Sequence, residues 1–277
     1  MKLTVLTENT ANKRGVLGEH GLSVLIEAQG KKLLFDTGQS GVYAHNAKRL
    51  GVRLDDIDAV ILSHGHYDHA GGLEEFPDTL PPVYVRREAL EDKLCKNADR
   101  VSFRQIGIPW VSHENGEPKA PGRIGDRLHF TGEKEEIFPG IFVLGKIPAG
   151  RELSLFWKQT AKGLVPDRME DEQLLVVREK AGLSVFAGCA HAGILNCLSY
   201  VEANFPGEHI RFLLAGMHLR GCGKKEIEET VSRIGEYGIE RIVPLHCTGL
   251  KAISMMQEAF GSACLAGEAG LTWREEP

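Results

Sequence analysis

Between residues 63 and 72 the chain reads Ser-His-Gly-His-Tyr-Asp-His-Ala-Gly-Gly, which sets four metal-ligand side chains, His64, His66, Asp68 and His69, within six positions. A lone histidine is ordinarily a satisfied core or surface group. Here that explanation must hold for three histidines and an aspartate at once. In an extended segment side chains alternate with a period of two, so His64 and His66 point the same way and their imidazoles converge on one ion. Asp68 and His69 follow where the chain is expected to turn into a helix, and are presented to an adjacent second ion. Imidazole and carboxylate suit Zn, Mn or Fe, with Zn the first choice, so the ligand types alone leave the metal open.

The flanking pattern places this cluster on a strand exit. Strand-like segments at Leu3–Leu6, Leu22–Glu27 and Lys32–Phe35 precede a helical spacing over Val42–Leu50, stopped by Gly51, and then a short apolar strand Ala59–Leu62 that runs into His64. Beyond it the pattern predicts a strand at Val83–Val85, a charged helix over Arg87–Leu94, and a Gly/Pro-rich stretch from Ile106 to Gly132. Strands at Ile141–Leu144, Gln173–Arg178, Leu183–Phe186, Ile210–Ala215 and Arg241–Val243 alternate in part with helices over 193–203, 224–237 and 250–260. Each half moves from strands towards strand-helix alternation, which predicts two sheets packed face to face with helices outside. No repeat or Pro/Ser-rich linker separates the halves, so residues 1–277 are read as one domain. The segment 145–171, with Pro148, Gly150, Gly163 and Pro166, is either a lid or an ordered surface excursion.

Composition narrows the setting. The 277 residues carry a net charge of -5 with no dense Lys/Arg block, which argues against broad electrostatic capture of nucleic acid. No apolar run approaches the roughly 18 residues of a membrane span, and Met1–Gly15 alternates like a strand rather than a signal peptide. Six scattered cysteines, Cys95, Cys189, Cys197, Cys222, Cys247 and Cys264, favour a reducing, cytoplasmic compartment over a disulfide framework. Homo-oligomerisation is left open.

The run His64-x-His66-x-Asp68-His69 resembles, residue for residue, the His-x-His-x-Asp-His pattern of the metallo-β-lactamase superfamily. The likeness extends to Glu19–Ser23, Leu34–Ser40, Gly188–Ile194, Gly216–Leu219 and Pro244–Gly249, and leaves the stretch between about 95 and 170 poorly matched. These segments are similar to a branch containing the 7,8-dihydropterin-6-methyl-4-(β-D-ribofuranosyl)aminobenzene-5′-phosphate synthases. The resemblance implies an α/β fold of the four-layer αββα sandwich type. It implies a first ion held by His64, His66 and His191 and a second by Asp68, His69 and His246, with Asp68 also orienting the nucleophile. Asp36 is then expected either to orient a ligand histidine or to close a turn, and His20 and His218 to line the pocket. In many relatives a Gly-Asp pair supplies a bridging aspartate. Gly188-Cys189 stands at the comparable strand end here, so Cys189 is either a thiolate ligand of the second ion or a small buried residue.

No Ser-His-Asp order, Walker loop or dinucleotide glycine motif offers another chemical engine. Two reactions fit: hydrolysis of an ester, thioester or phosphoester, and, by the closer resemblance, condensation of a dihydropterin methyl diphosphate with a ribofuranosylaminobenzene phosphate. Both require a small anionic substrate, with Arg86, Lys224 and Lys225 as candidate phosphate contacts. A metal-dependent ligand sensor and a nucleic-acid-processing enzyme are the alternatives. A redox variant is placed last, because no flavin-binding domain is visible.

Overall fold

A computed structural model describes the chain except for residues 78, 100, 115–116, 149–153, 161 and 276–277. Among the described residues two large sheets carry the architecture. The first orders its strands Leu128–Phe130, Val83–Val85, Ala59–Ile61, Lys31–Phe35, Ser23–Ala28, Lys2–Thr7 and Thr272–Arg274. The second orders them Lys134–Phe138, Ile141–Gly145, Gln173–Glu179, Gly182–Ala187, Ile210–Gly216 and Arg241–Leu245. Because side chains alternate across a strand, each strand serves two cores. Leu33, Phe35 and Ile61 meet Phe186, Leu214 and Leu245 between the sheets. Their neighbours Leu34, Val60 and Leu62 pack outward under Tyr43 and Ala47 of the helix Val42–Leu50. On the second sheet Val185, Leu213 and Ala215 face Leu198, Ile227 and Met256 of the helices Ile194–Asn204, Lys224–Gly235 and Leu250–Phe260. Helix, sheet, sheet and helix therefore stack as an αββα sandwich. No helix among the described residues is long and apolar enough to cross a membrane.

Strand direction matters more for function than layer count. Lys31–Phe35, Ala59–Ile61 and Val83–Val85 run parallel, with Phe35 beside Ile61. In the other sheet Gly182–Ala187, Ile210–Gly216 and Arg241–Leu245 run parallel, with Ala187 beside Ala215 and Ala215 beside Pro244. Parallel neighbours release the following residues at one edge, the usual location of α/β binding sites. Asp36, His64, Cys189, His218 and His246 thus leave their strands on one rim. Antiparallel neighbours add Glu8 and Asn9, just after Lys2–Thr7, and Asp171 and Glu172, just before Gln173–Glu179.

The charged helix expected over Arg87–Leu94 is replaced by a 3₁₀ turn, Arg87–Leu90, followed by a strand, Lys93–Lys96. The reason is burial with a period of two: Lys93 and Cys95 are buried and Leu94 and Lys96 less so. This strand pairs with Phe103–Gln105 and with Phe156–Thr160, which itself forms a hairpin with Gly163–Pro166. Segment 145–171 is accordingly an ordered excursion where it is described; Gly150 lies outside the described residues.

Lys93 ties this accessory sheet to the loop that carries His64 and His66. Its ammonium, 1% exposed, donates to Asp167 Oδ2 and Asp171 Oδ1, each at 2.8 Å, while Asp171 Oδ2 accepts from the Gly65 amide at 2.7 Å. Removing one member of a buried ion cluster strands the others without solvent, at about 3–5 kcal/mol. Lys93→Met should lower the unfolding free energy by about that amount, and adding Asp167→Asn should recover part of it, as read by denaturant titration. A loss under about 1 kcal/mol would show that these ions do not depend on one another.

Candidate metal centre

The base of the rim is Asp36, fully buried and held at φ 58°, a left-handed conformation that aspartate tolerates better than most side chains. Its Oδ1 accepts from the Ser63 amide, and its Oδ2 from both the Ser63 hydroxyl and His69 Nδ1, all at 2.7 Å. Donor bookkeeping then fixes His64. With the single Ser63 hydroxyl proton given to Asp36, the Ser63 oxygen accepts from His64 Nδ1 at 2.9 Å. Both histidines consequently present Nε2 to the rim. Asp36 therefore both turns the chain and orients two histidine rings, His69 directly and His64 through Ser63.

His66 is extended at φ -89°, ψ 148°, and the helix Tyr67–Ala70 begins immediately after it. Around His64 Nε2 stand His66 Nδ1 at 3.0 Å and His191 Nε2 at 3.3 Å. A tetrahedral ion with metal–nitrogen bonds of about 2.0–2.1 Å separates neighbouring ligand nitrogens by about 3.3 Å. The spacing fits that geometry. Burial, the largest effect, pushes all three rings below the usual histidine range, His66 to about 3, so each is neutral with a lone pair to give. The other ring nitrogen, His66 Nε2, is buried without a hydrogen-bond partner among the described residues.

The second group gathers around His246, itself at φ 55°. His246 Nε2 lies 3.1 Å from His69 Nε2 and 3.3 Å from Asp68 Oδ2. Its Nδ1 donates to Asn9 Oδ1 at 3.0 Å, and its amide to Glu8 Oε1 at 2.7 Å. Burial would raise the Asp68 carboxyl, but the charge of His69, together with the close imidazoles of His20 and His246, holds it well below the usual carboxylate range. The chemistry of this set, two imidazole nitrogens and one carboxylate oxygen, suits a divalent ion as well as the first set does.

His20 and His218 flank the two groups. His20 Nε2 reaches Asp68 Oδ2 at 3.2 Å from a half-exposed position, and the His218 ring centre is 4.7 Å from that of His191. Cys189 is buried, with Sγ 3.2 Å from His69 Nε2. The phosphate candidates fare differently. Arg86 is buried and donates to the Thr131 and Gly132 carbonyls and to Glu88, which gives it a structural post rather than a free cation. Lys224 and Lys225 lie exposed along their helix, paired with Glu228 and Glu229. Several supporting residues escaped the sequence reading. Ser63 relays between His64 and Asp36, Asn9 orients His246, and Glu172 accepts from the His191 and Ala192 amides at 2.7 and 3.0 Å. Their one signal was position, each polar residue standing within two residues of the end or start of a strand.

Two measurements follow. His66→Ala should lose bound metal and activity together, as read by elemental analysis; a variant with wild-type metal content would remove His66 from the ligand set. Burial lowers the proton affinity of His69, but Asp36 and then Asp68 outweigh it and raise its pKa to about 9. A folded value above the ordinary 6.5 means the proton stabilises the fold fully below pH 6.5, and that contribution disappears as pH rises through about 9. Chelated protein should therefore lose melting temperature across that window. Metal-loaded protein, in which the ion replaces this proton, should not; parallel curves by calorimetry would contradict the assignment.

A sequence model of the metallo-β-lactamase superfamily matches residues 17–204. An uncharacterised protein of Methanocaldococcus jannaschii is 31% identical over 264 residues, covering 92% of this chain and 94% of that protein. The 7,8-dihydropterin-6-methyl-4-(β-D-ribofuranosyl)aminobenzene-5′-phosphate synthase of the same organism is 29% identical over 282 residues, covering 94% of this chain and 92% of the synthase. A crystal structure described as a metal-dependent hydrolase of the β-lactamase superfamily aligns over the whole of both chains at 34% identity, with a TM-score of 0.84. With a fold, a motif and whole-length relatives in agreement, the chain belongs to the metallo-β-lactamase superfamily, in a branch that resembles the dihydropterin synthase.

Proposed function

We propose that this chain is an enzyme in which His64, His66 and His191 hold one divalent ion and Asp68, His69 and His246 hold a second, zinc at both places, to act on a small anionic molecule. The observation that carries the reading is the pair of donor groups at ligand spacing on one rim. When bound, such ions supply Lewis acidity and bring the pKa of water towards neutrality. The protein's own share is orientation: Asp36 and Asn9 fix His69 and His246, and Asp68, kept ionised, accepts from the attacking water. A cavity of about 490 Å³ opens beside His246, lined by Asn9, Asn12, Arg220, Leu250 and Glu268 among others. Arg220 gives it a cation suited to a phosphate or carboxylate group. The six cysteines are free, in keeping with a reducing compartment.

The reaction we assign is cleavage of a phosphoester or diphosphate bond in that molecule, by hydrolysis. The whole-length likeness to a metal-dependent hydrolase supports it. A second reading, condensation with diphosphate departure, is favoured by the synthase relative matched over 94% of this chain. Metal-loaded protein given a dihydropterin methyl diphosphate alone should release phosphate or diphosphate if it hydrolyses. Release only when ribofuranosylaminobenzene phosphate is added, with a coupled product, would replace hydrolysis by condensation. No turnover of this or any phosphoester panel, despite bound metal, would sink both and leave a ligand sensor.

A further inference from the structure

The two donor groups share one atom. Sγ of Cys189 lies within 4.8 Å of the ligand nitrogens of His64 and His191 in the first group, and within the same limit of those of His69 and His246 in the second. Its approach to His69 Nε2, 3.2 Å, matches the spacing of the imidazoles themselves. The position is built from the backbone up. Cys189 follows the strand Gly182–Ala187 by two residues, and at Gly188 a Cβ would collide with the Ser63 hydroxyl. Gly216 packs as tightly on the Gly188 carbonyl. The chain between the two sheets is therefore pinned against the base of the rim, and Ala190 takes φ 48° as the chain continues to His191. A thiol buried merely as a small apolar group has no reason to face four imidazoles. Cys247, the neighbouring thiol, stands within 4.8 Å of Cys189 Sγ and of a His218 ring nitrogen but joins neither donor group; its sulfur accepts from the His218 amide at 3.3 Å and lies 3.7 Å from the Cys189 carbonyl.

We propose that Cys189 is a shared thiolate ligand that joins the two ion positions, and that it tunes the centre to thiophilic metals. The proposal rests on the two-ion reading above. On loading, the Cys189 S–H bond breaks, its proton passes to solvent, and the sulfur lone pairs bind the ions, so charge balances as one proton leaves per thiolate formed. Soft sulfur favours Zn, Co and Fe over Mn or Mg, whereas the histidines and Asp68 alone would discriminate less.

The test is cobalt substitution, read by absorption and by metal content independently of turnover. Wild-type protein loaded with Co(II) should bind two ions and show near-ultraviolet thiolate-to-cobalt charge transfer alongside visible d–d bands. Cys189→Asp keeps the negative charge but offers hard oxygen. It should keep two ions and the d–d bands, lose the charge transfer, and shift the Co(II)/Mn(II) preference towards manganese by on the order of tenfold. Cys189→Ser serves the same purpose should the aspartate variant fold poorly, and Cys247→Ser should keep the charge-transfer band. Two cobalt ions in wild type without that band would overturn the proposal, as would a band that survives Cys189→Asp and disappears in Cys247→Ser. Failure of wild type to bind cobalt or zinc at all is a different result, because it removes the two-ion reading itself.

Discussion

A single carboxylate organises the rim. Asp36 accepts three hydrogen bonds, two from Ser63 and one from His69, and through the Ser63 hydroxyl it governs the ring of His64. One residue in a left-handed turn thereby orients a histidine in each donor group. Buried charge of this kind is tolerated only when its lone pairs are satisfied, and Asp36 meets that condition with donors drawn from the very loop it orients. Fold and chemistry are coupled at this point: loss of the carboxylate would leave the Ser63 amide unpaired in the interior and free the imidazoles to turn.

The remainder of the site answers a problem of crowding. Imidazoles a few ångströms apart repel one another if protonated, and burial settles this for His64, His66 and His191 by keeping them neutral. His69 goes the other way because it alone touches Asp36. The assembly thus contains neutral donors on one side and a cation held between carboxylates on the other. Glu172 belongs to the same design. Burial raises its pKa to about 7, opposed by the amides of Ala192 and His191 that it accepts from, and it clamps the turn that carries His191.

What the sequence disclosed and what it hid divide along physical lines. The strands around the cluster were legible because an apolar run with turn punctuation has few other fates, and the helix Leu250–Phe260 because its apolar spacing is complete. The meeting of His191 and His246 with residues 64–69 was not derivable from spacing, since 127 and 177 residues separate the paired rings, and it entered through resemblance. Arg86 misled as a phosphate contact because a guanidinium reads as free for a ligand until the carbonyls around it are found. Lys93 misled more seriously. It fell within the charged helix expected over Arg87–Leu94, and the two aspartates brought in from positions 167 and 171 explain how its charge can sit buried in a strand. Ser63 and Asn9 stayed silent because short polar residues at strand ends are common and their partners are not local.

The Lys93 cluster also bears on how such a scaffold can diversify. Loops grafted onto a rigid frame are usually exchangeable, because few interactions cross the junction. Here the accessory strands reach beneath the active rim and contribute the cation that balances Asp171, whose other oxygen grips the Gly65 amide. A chimera that swapped residues 93–105 for a foreign loop would inherit an orphaned anion directly under His64 and His66. New specificities in this branch should therefore arise by changes on the outer surface of the excursion, with its inner ionic root retained as part of the frame.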